Sequence, residues 1–124
     1  GETFAFEVSL NLRNADGNDN IRAQVFLSDA SDKELALEFY KGRFMVYRDR
    51  KSVGLDAKAL VNRNTILIKA DERNVDVQVN GHSIYTGPHG LGKTAKNPGV
   101  RFFSKGQNWG MDDLSVPTIR VLRP

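Results

Sequence analysis

Apolar and polar residues alternate along almost the whole chain. Phe4, Phe6, Val8, Leu10 and Leu12 are separated by Ala5, Glu7, Ser9 and Asn11, the two-residue period of a half-buried strand. Ile21, Ala23, Val25 and Leu27 repeat the pattern against Arg22, Gln24 and Ser28. Leu35, Leu37 and Phe39 lead into Lys41-Gly42, with Phe44 and Val46 beyond. A two-residue turn there sets Phe39 opposite Phe44 and Leu37 opposite Val46 on one face. Glu38, Tyr40, Met45 and Tyr47 then fall on the other.

Residues 50–62 lose the alternation, and Leu55–Val61 reads as a turn or two of helix or an irregular crossover. The period returns at Ile66, Ile68 and Ala70. Val75, Val77 and Val79 then run into Asn80-Gly81, a pair whose left-handed preference suits a type I′ hairpin. Direct pairing sets Val79 opposite His82, Val77 opposite Ile84 and Val75 opposite Thr86. Tyr85 and Ser83 are thereby expected on the polar face with Gln78 and Asp76. A Gly/Pro-rich loop spans Gly87–Gly99 and a strand follows at Val100–Lys105. Gly106-Gln107-Asn108 turns the chain into Met111–Val116. Pro117 is expected to end that strand, with Thr118–Leu122 forming one more. The chain therefore reads as all-β: a two-sheet antiparallel β-sandwich (a jelly roll) of roughly nine to ten strands in one domain, residues 1–124.

Composition narrows the picture in three ways. A chain of 124 residues with 40% hydrophobic and 27% charged residues is globular and large enough to bury a core. With no cysteine, disulfides, zinc–thiolate sites and thiol nucleophiles are excluded together. The net charge of +3 is spread over Arg13, Arg22, Lys33, Lys69 and Lys105, and the one dense run, Arg48-Asp49-Arg50-Lys51, contains an acid. No nucleic-acid partner is expected from such a mixed surface. Apolar runs fall far short of the ~20 residues of a membrane helix, so no membrane insertion is expected. Gly1 stands where an initiator Met would, as in a piece cut from a longer secreted or surface protein; an extracellular or cell-surface setting is expected.

Two segments resemble the concanavalin A-like lectin/glucanase (laminin-G-like) jelly-roll superfamily. Asn64–Thr86 is similar to its pair of strands with an Asn-Gly hairpin. Gly99–Val116 is similar to its closing hairpin, in which an acidic pair, here Asp112-Asp113, precedes alternating apolar residues. Phe4–Val8 fits an early strand. The superfamily holds lectins, carbohydrate-binding modules, adhesion domains and glycanases, so the resemblance implies a sandwich and leaves the activity to be argued from the site.

Candidate chemistry is sparse. Gly87-Pro-His-Gly-Leu-Gly-Lys-Thr94 spells a Walker A loop, but that motif needs a helix after it, and Pro98-Gly99 follow within four residues. No nucleotide is expected. Paired glycanase carboxylates have no matching motif, and His82 and His89 alone suggest no Ser/His/Asp arrangement, so no catalysis is expected. Asp16, Asn18 and Asp19, with Asn20, are dense in hard oxygens; they are candidates for Ca2+ or else cap an Asx-rich connection. Trp109 beside Asn108 either stacks on a sugar ring or folds back to plug one end of the sandwich. Tyr40, Tyr47, Tyr85 and Arg43 lie off the apolar face and complete the candidate ligand-binding set. The expected function is carbohydrate binding, with a glycan as the partner; the alternative is a protein–protein interaction or structural domain of the same fold.

Overall fold

In the computed structural model the described residues are 4–11, 21–60, 63–92, 97–104 and 115–122, with the backbone alone described at 11, 21, 102–104 and 115–122. Among them the chain forms ten strands and no helix: β1 (Phe4–Asn11), β2 (Ile21–Ser28), β3 (Glu34–Tyr40), β4 (Arg43–Arg48), β5 (Lys51–Lys58), β6 (Arg63–Ala70), β7 (Asn74–Val79), β8 (His82–Pro88), β9 (Asn97–Ser104) and β10 (Ser115–Leu122). They build two five-stranded sheets, β10-β1-β6-β7-β8 and β5-β4-β3-β2-β9. Every pairing is antiparallel.

The alternating positions meet between the sheets. Phe6, Val8 and Leu10 of β1, Ile66 and Ile68 of β6, and the valines of β7 face Val25, Leu27, Leu35, Leu37, Phe44 and Val46 in one buried cluster. Phe39 and Phe44 stand opposite each other with ring centroids 5.6 Å apart and tilted by 59°, a favourable aromatic pairing. The Lys41-Gly42 and Asn80-Gly81 turns have positive φ at both central residues, the type I′ geometry that suits the twist of a hairpin. Asp49-Arg50 does the same between β4 and β5 without a glycine.

Three local expectations are corrected. The segment expected to be helical or irregular is the edge strand β5, carrying an irregularity in which Phe44 pairs with Ala57 but Val46 with Val53. A single helical turn is marginal by itself, whereas the free edge of β4 offers this backbone a ladder. Gly54 makes the bend possible: its φ is +77°, and a Cβ there would collide with the Ile84 carbonyl.

In β8 the register slips, so that Gln78 pairs with Ser83 but Val77 with Tyr85. The extra residue is Ile84, which turns into the core, and Tyr85 packs against the core's edge instead of lying on the polar face. Lastly, Pro117 interrupts nothing: β10 runs through it. The register against β1 shifts between Ser9 and Asn11 at this point, and β10 is an edge strand. A bulge on an edge is where a strand tolerates a residue without an N–H.

The glycine-rich loop is pinned from inside. Gly87 and Pro88 end β8, and the next residue, His89, is buried. Its Nδ1 accepts a hydrogen bond from the Leu91 amide (2.9 Å), and its Nε2 lies 3.0 Å from the Asp71 carbonyl, to which that nitrogen donates in the neutral ring. Lys93 and Thr94 of the Walker-like string lie outside the described residues.

Candidate functional site

Because alternate residues of β3 face the core, Glu34, Ala36, Glu38 and Tyr40 face outward. Register extends this outer face across the sheet. Ala36 pairs with Phe26 on one side and Tyr47 on the other, while Glu38 pairs with Gln24 and Met45. Gln24 in turn pairs with Arg101, and Phe26 with Gly99. A groove of 740 Å³ lies on this face, within the roughly 300–1,000 Å³ usual for small-ligand sites. Ala36 is the small residue at its floor, and Tyr47 and Arg101 line it from the strands to either side.

Polar side chains in the groove are held in defined positions. Gln24 Nε2 donates to Glu38 Oε1 at 3.0 Å. The Arg101 guanidinium lies 3.9 Å above the Phe26 ring, and its Nη2 donates to Glu34 Oε2 at 2.5 Å. Phe26 reaches this position because residue 99 has no side chain: a Cβ on Gly99 would collide with the Cζ end of the ring. The Arg22 guanidinium carbon lies over Tyr40, 3.9 Å from the ring centre. Hydrogen bonding with Tyr40, opposed by burial and helped by the Glu38 charge, holds Arg22 above the usual arginine value; it is a permanent cation.

Two turns complete the lining, through Asp32 and Lys33 after β2 and through Asp49 and Arg50 after β4. The first is organised by the buried Asp29. Its Oδ1 accepts from the amides of Ser31 (2.8 Å) and Lys33 (3.1 Å), and its Oδ2 accepts from Gly92 (2.8 Å) in the glycine-rich loop. The Gly92 amide above all, then those of Ser31 and Lys33, hold this carboxyl below the usual range against the opposing effect of burial.

The sequence-derived residues divide among three places. Tyr47 lines the groove, and Tyr40 supports Arg22 on the same face. Arg43 shares that face, but its Nε is ion-paired with Asp56 of β5. Tyr85 is not brought to the groove: it lies in the other sheet, donates to the Pro88 carbonyl at 2.6 Å and accepts from Arg48 Nη1 at 3.1 Å. Trp109, Asn108, Asp16, Asn18 and Asp19 lie outside the described residues. Sequence reasoning passed over Arg22 and Gln24, although alternation already marks them as outward. Arg101 gave no such signal, because it joins the site through a pairing of β2 with β9 that spans most of the chain.

No protein-family model matches the chain, and no curated protein does. Solved structures do match in shape. Alginate lyase AlgAT5 of polysaccharide lyase family 7 superposes with a TM-score of 0.68 at 14% identity, covering 100% of this chain. An alginate lyase from Corynebacterium sp. gives 0.68 at 9% identity over the same 100%. This chain spans 60% of the length of each lyase. Sheep galectin-11, in complex with glycerol, matches at 0.65 and 14% identity over 97% of this chain and 90% of its own. The expectation that the chain is no enzyme is overturned by these matches, since enzymes stand beside a lectin among the structures it resembles. At such identities the likeness speaks for the fold, and that fold is the concanavalin A-like jelly-roll β-sandwich.

Proposed function

We propose that the protein binds a saccharide in the groove on the outer face of β5-β4-β3-β2-β9. The observation that carries this reading is the juxtaposition, around the small Ala36, of the Tyr47 ring with the planar polar ends of Gln24, Glu38 and Arg101. A sugar ring has an apolar face and a girdle of hydroxyls. Stacking on Tyr47 removes the apolar face from water, while planar amide, carboxylate and guanidinium groups meet adjacent hydroxyls. The Gln24–Glu38 and Arg101–Glu34 contacts preorganise these groups, which lowers the ordering entropy of binding. The likeness to alginate lyases and to a galectin in complex with glycerol, a polyol, supports the reading.

Single-site affinity is expected on the order of 0.1–1 mM, or about −5 to −4 kcal/mol. A glycan array followed by calorimetry tests this. Tyr47→Ala should weaken binding about tenfold, as the loss of ~1–1.5 kcal/mol of ring contact implies, and leave the melting temperature unchanged. Incubating every bound glycan with the protein and assaying chain ends reads cleavage in the same experiment. Failure of every glycan to bind, or binding indifferent to both Tyr47→Ala and Gln24→Ala, overturns the proposal.

A further inference from the structure

The charges around the groove narrow what it accepts. Among the described residues its lining carries four cations, Arg22, Lys33, Arg50 and Arg101, and four anions, Asp32, Glu34, Glu38 and Asp49. The chain as a whole has a net charge of +3, so its cationic surplus lies elsewhere. The signs are also unevenly placed. Lys33 and Arg50 sit in the turns, each beside an aspartate in sequence. On the strands, Arg101 is committed to Glu34 at 2.5 Å and lies over Phe26, and its buried Nε has no hydrogen-bond partner among the described residues. Arg22 lies against Tyr40 under the pull of Glu38. Between them β3 presents Glu34, Ala36 and Glu38 in a row, two carboxylates roughly 13 Å apart along the strand with the small residue at the centre.

We infer that the groove selects an uncharged, hydroxyl-rich saccharide and discriminates against uronate polymers such as alginate. The inference rests on the saccharide reading above and adds the substrate class to it. Hydroxyls donate to Glu38 and Glu34 without loss. A uronate brings a carboxylate on every sugar over these two anions; the two guanidinium groups on the strands, Arg101 and Arg22, already serve Glu34, Glu38 and Tyr40, and the other two cations, Lys33 and Arg50, sit in the turns beside Asp32 and Asp49. Neutralising the uronate with Arg101 requires breaking the Arg101–Glu34 pair, which strands a half-buried carboxylate.

The test is a matched panel read by calorimetry: neutral oligosaccharides of glucose, mannose and galactose against oligomannuronate and oligoguluronate of equal length. The best neutral ligand should bind at least tenfold more tightly than either uronate, and its affinity should be insensitive to added salt. Glu38→Gln keeps an oxygen for Gln24 but removes the charge. It should raise uronate affinity several-fold, with the neutral ligand changed by much less. A uronate bound as tightly as the best neutral ligand by the unaltered protein overturns this inference and leaves the saccharide reading standing. A Glu38→Gln variant with no gain toward uronates also overturns it. Should no member of either series bind, the saccharide reading falls and this inference with it.

Discussion

Gly99→Ala is the substitution whose effect the structure specifies most closely. In an ordinary exposed strand, replacing glycine by alanine restricts the unfolded chain and stabilises the fold by about 0.4–1 kcal/mol. Here the new Cβ would meet Cζ, Cε1 and Cε2 of Phe26, all at 3.0 Å or less. The ring must swing away, and it carries the Arg101 guanidinium stacked 3.9 Å above it. Overpacking of this kind costs about 1–3 kcal/mol, within which the lost cation–π contact accounts for about 0.5–1. The entropic gain offsets part of this, leaving a net loss of about 1–2 kcal/mol, or a fall in melting temperature of roughly 3–10 °C for a chain of this size. The decisive measurement is a double-mutant cycle by urea denaturation. With Phe26→Ala in the background the obstacle is gone, so Gly99→Ala should become neutral or stabilising. Additive effects, with the same loss in both backgrounds, would refute the idea that residue 99 is glycine on account of the ring. Should Gly99→Ala stabilise the unaltered protein, the placement of Phe26 over β9 would be wrong.

Two further outcomes follow from the core and from the buried carboxylate that organises the turn after β2. Phe6→Ala, at a site 1% exposed, should cost ~3–5 kcal/mol, read as a lower urea midpoint with an unchanged slope. Asp29 has its folded pKa depressed, chiefly by the Gly92 amide, so its contribution is complete above the ordinary aspartate value and is lost as pH falls toward the lower folded one. Melting curves across that acid window should therefore drop more steeply for the unaltered protein than for Asp29→Asn; parallel curves would rule the contribution out.

The division between sequence and tertiary structure follows from the range of the interactions concerned. Strand periodicity is local, and so the core faces of β1, β2, β3, β6 and β7 could be read from Phe6, Val25, Leu37, Ile68 and Val77 without coordinates. The turns at Lys41-Gly42 and Asn80-Gly81 were equally legible, because left-handed backbone at two adjacent positions restricts the residues that can occupy them. What failed locally failed at bulges. The extra residue at Ile84 and the two after Val53 are accommodations to the neighbouring strand, and the strand's own composition does not encode them. The groove was half legible. Tyr40, Tyr47 and Glu38 belong to one hairpin, and alternation put them on one outward face. Arg101, Phe26 and Gly99 meet only because β9 returns to the edge of β2, a pairing between segments about 70 residues apart. The polar contacts that hold Arg101 on Phe26, Gln24 on Glu38, and Asp29 on Gly92 depend on distances of a few ångströms between distant parts of the chain. Long-range strand pairing and the return of the glycine-rich loop decided those distances, and with them which charges in the groove are already paired.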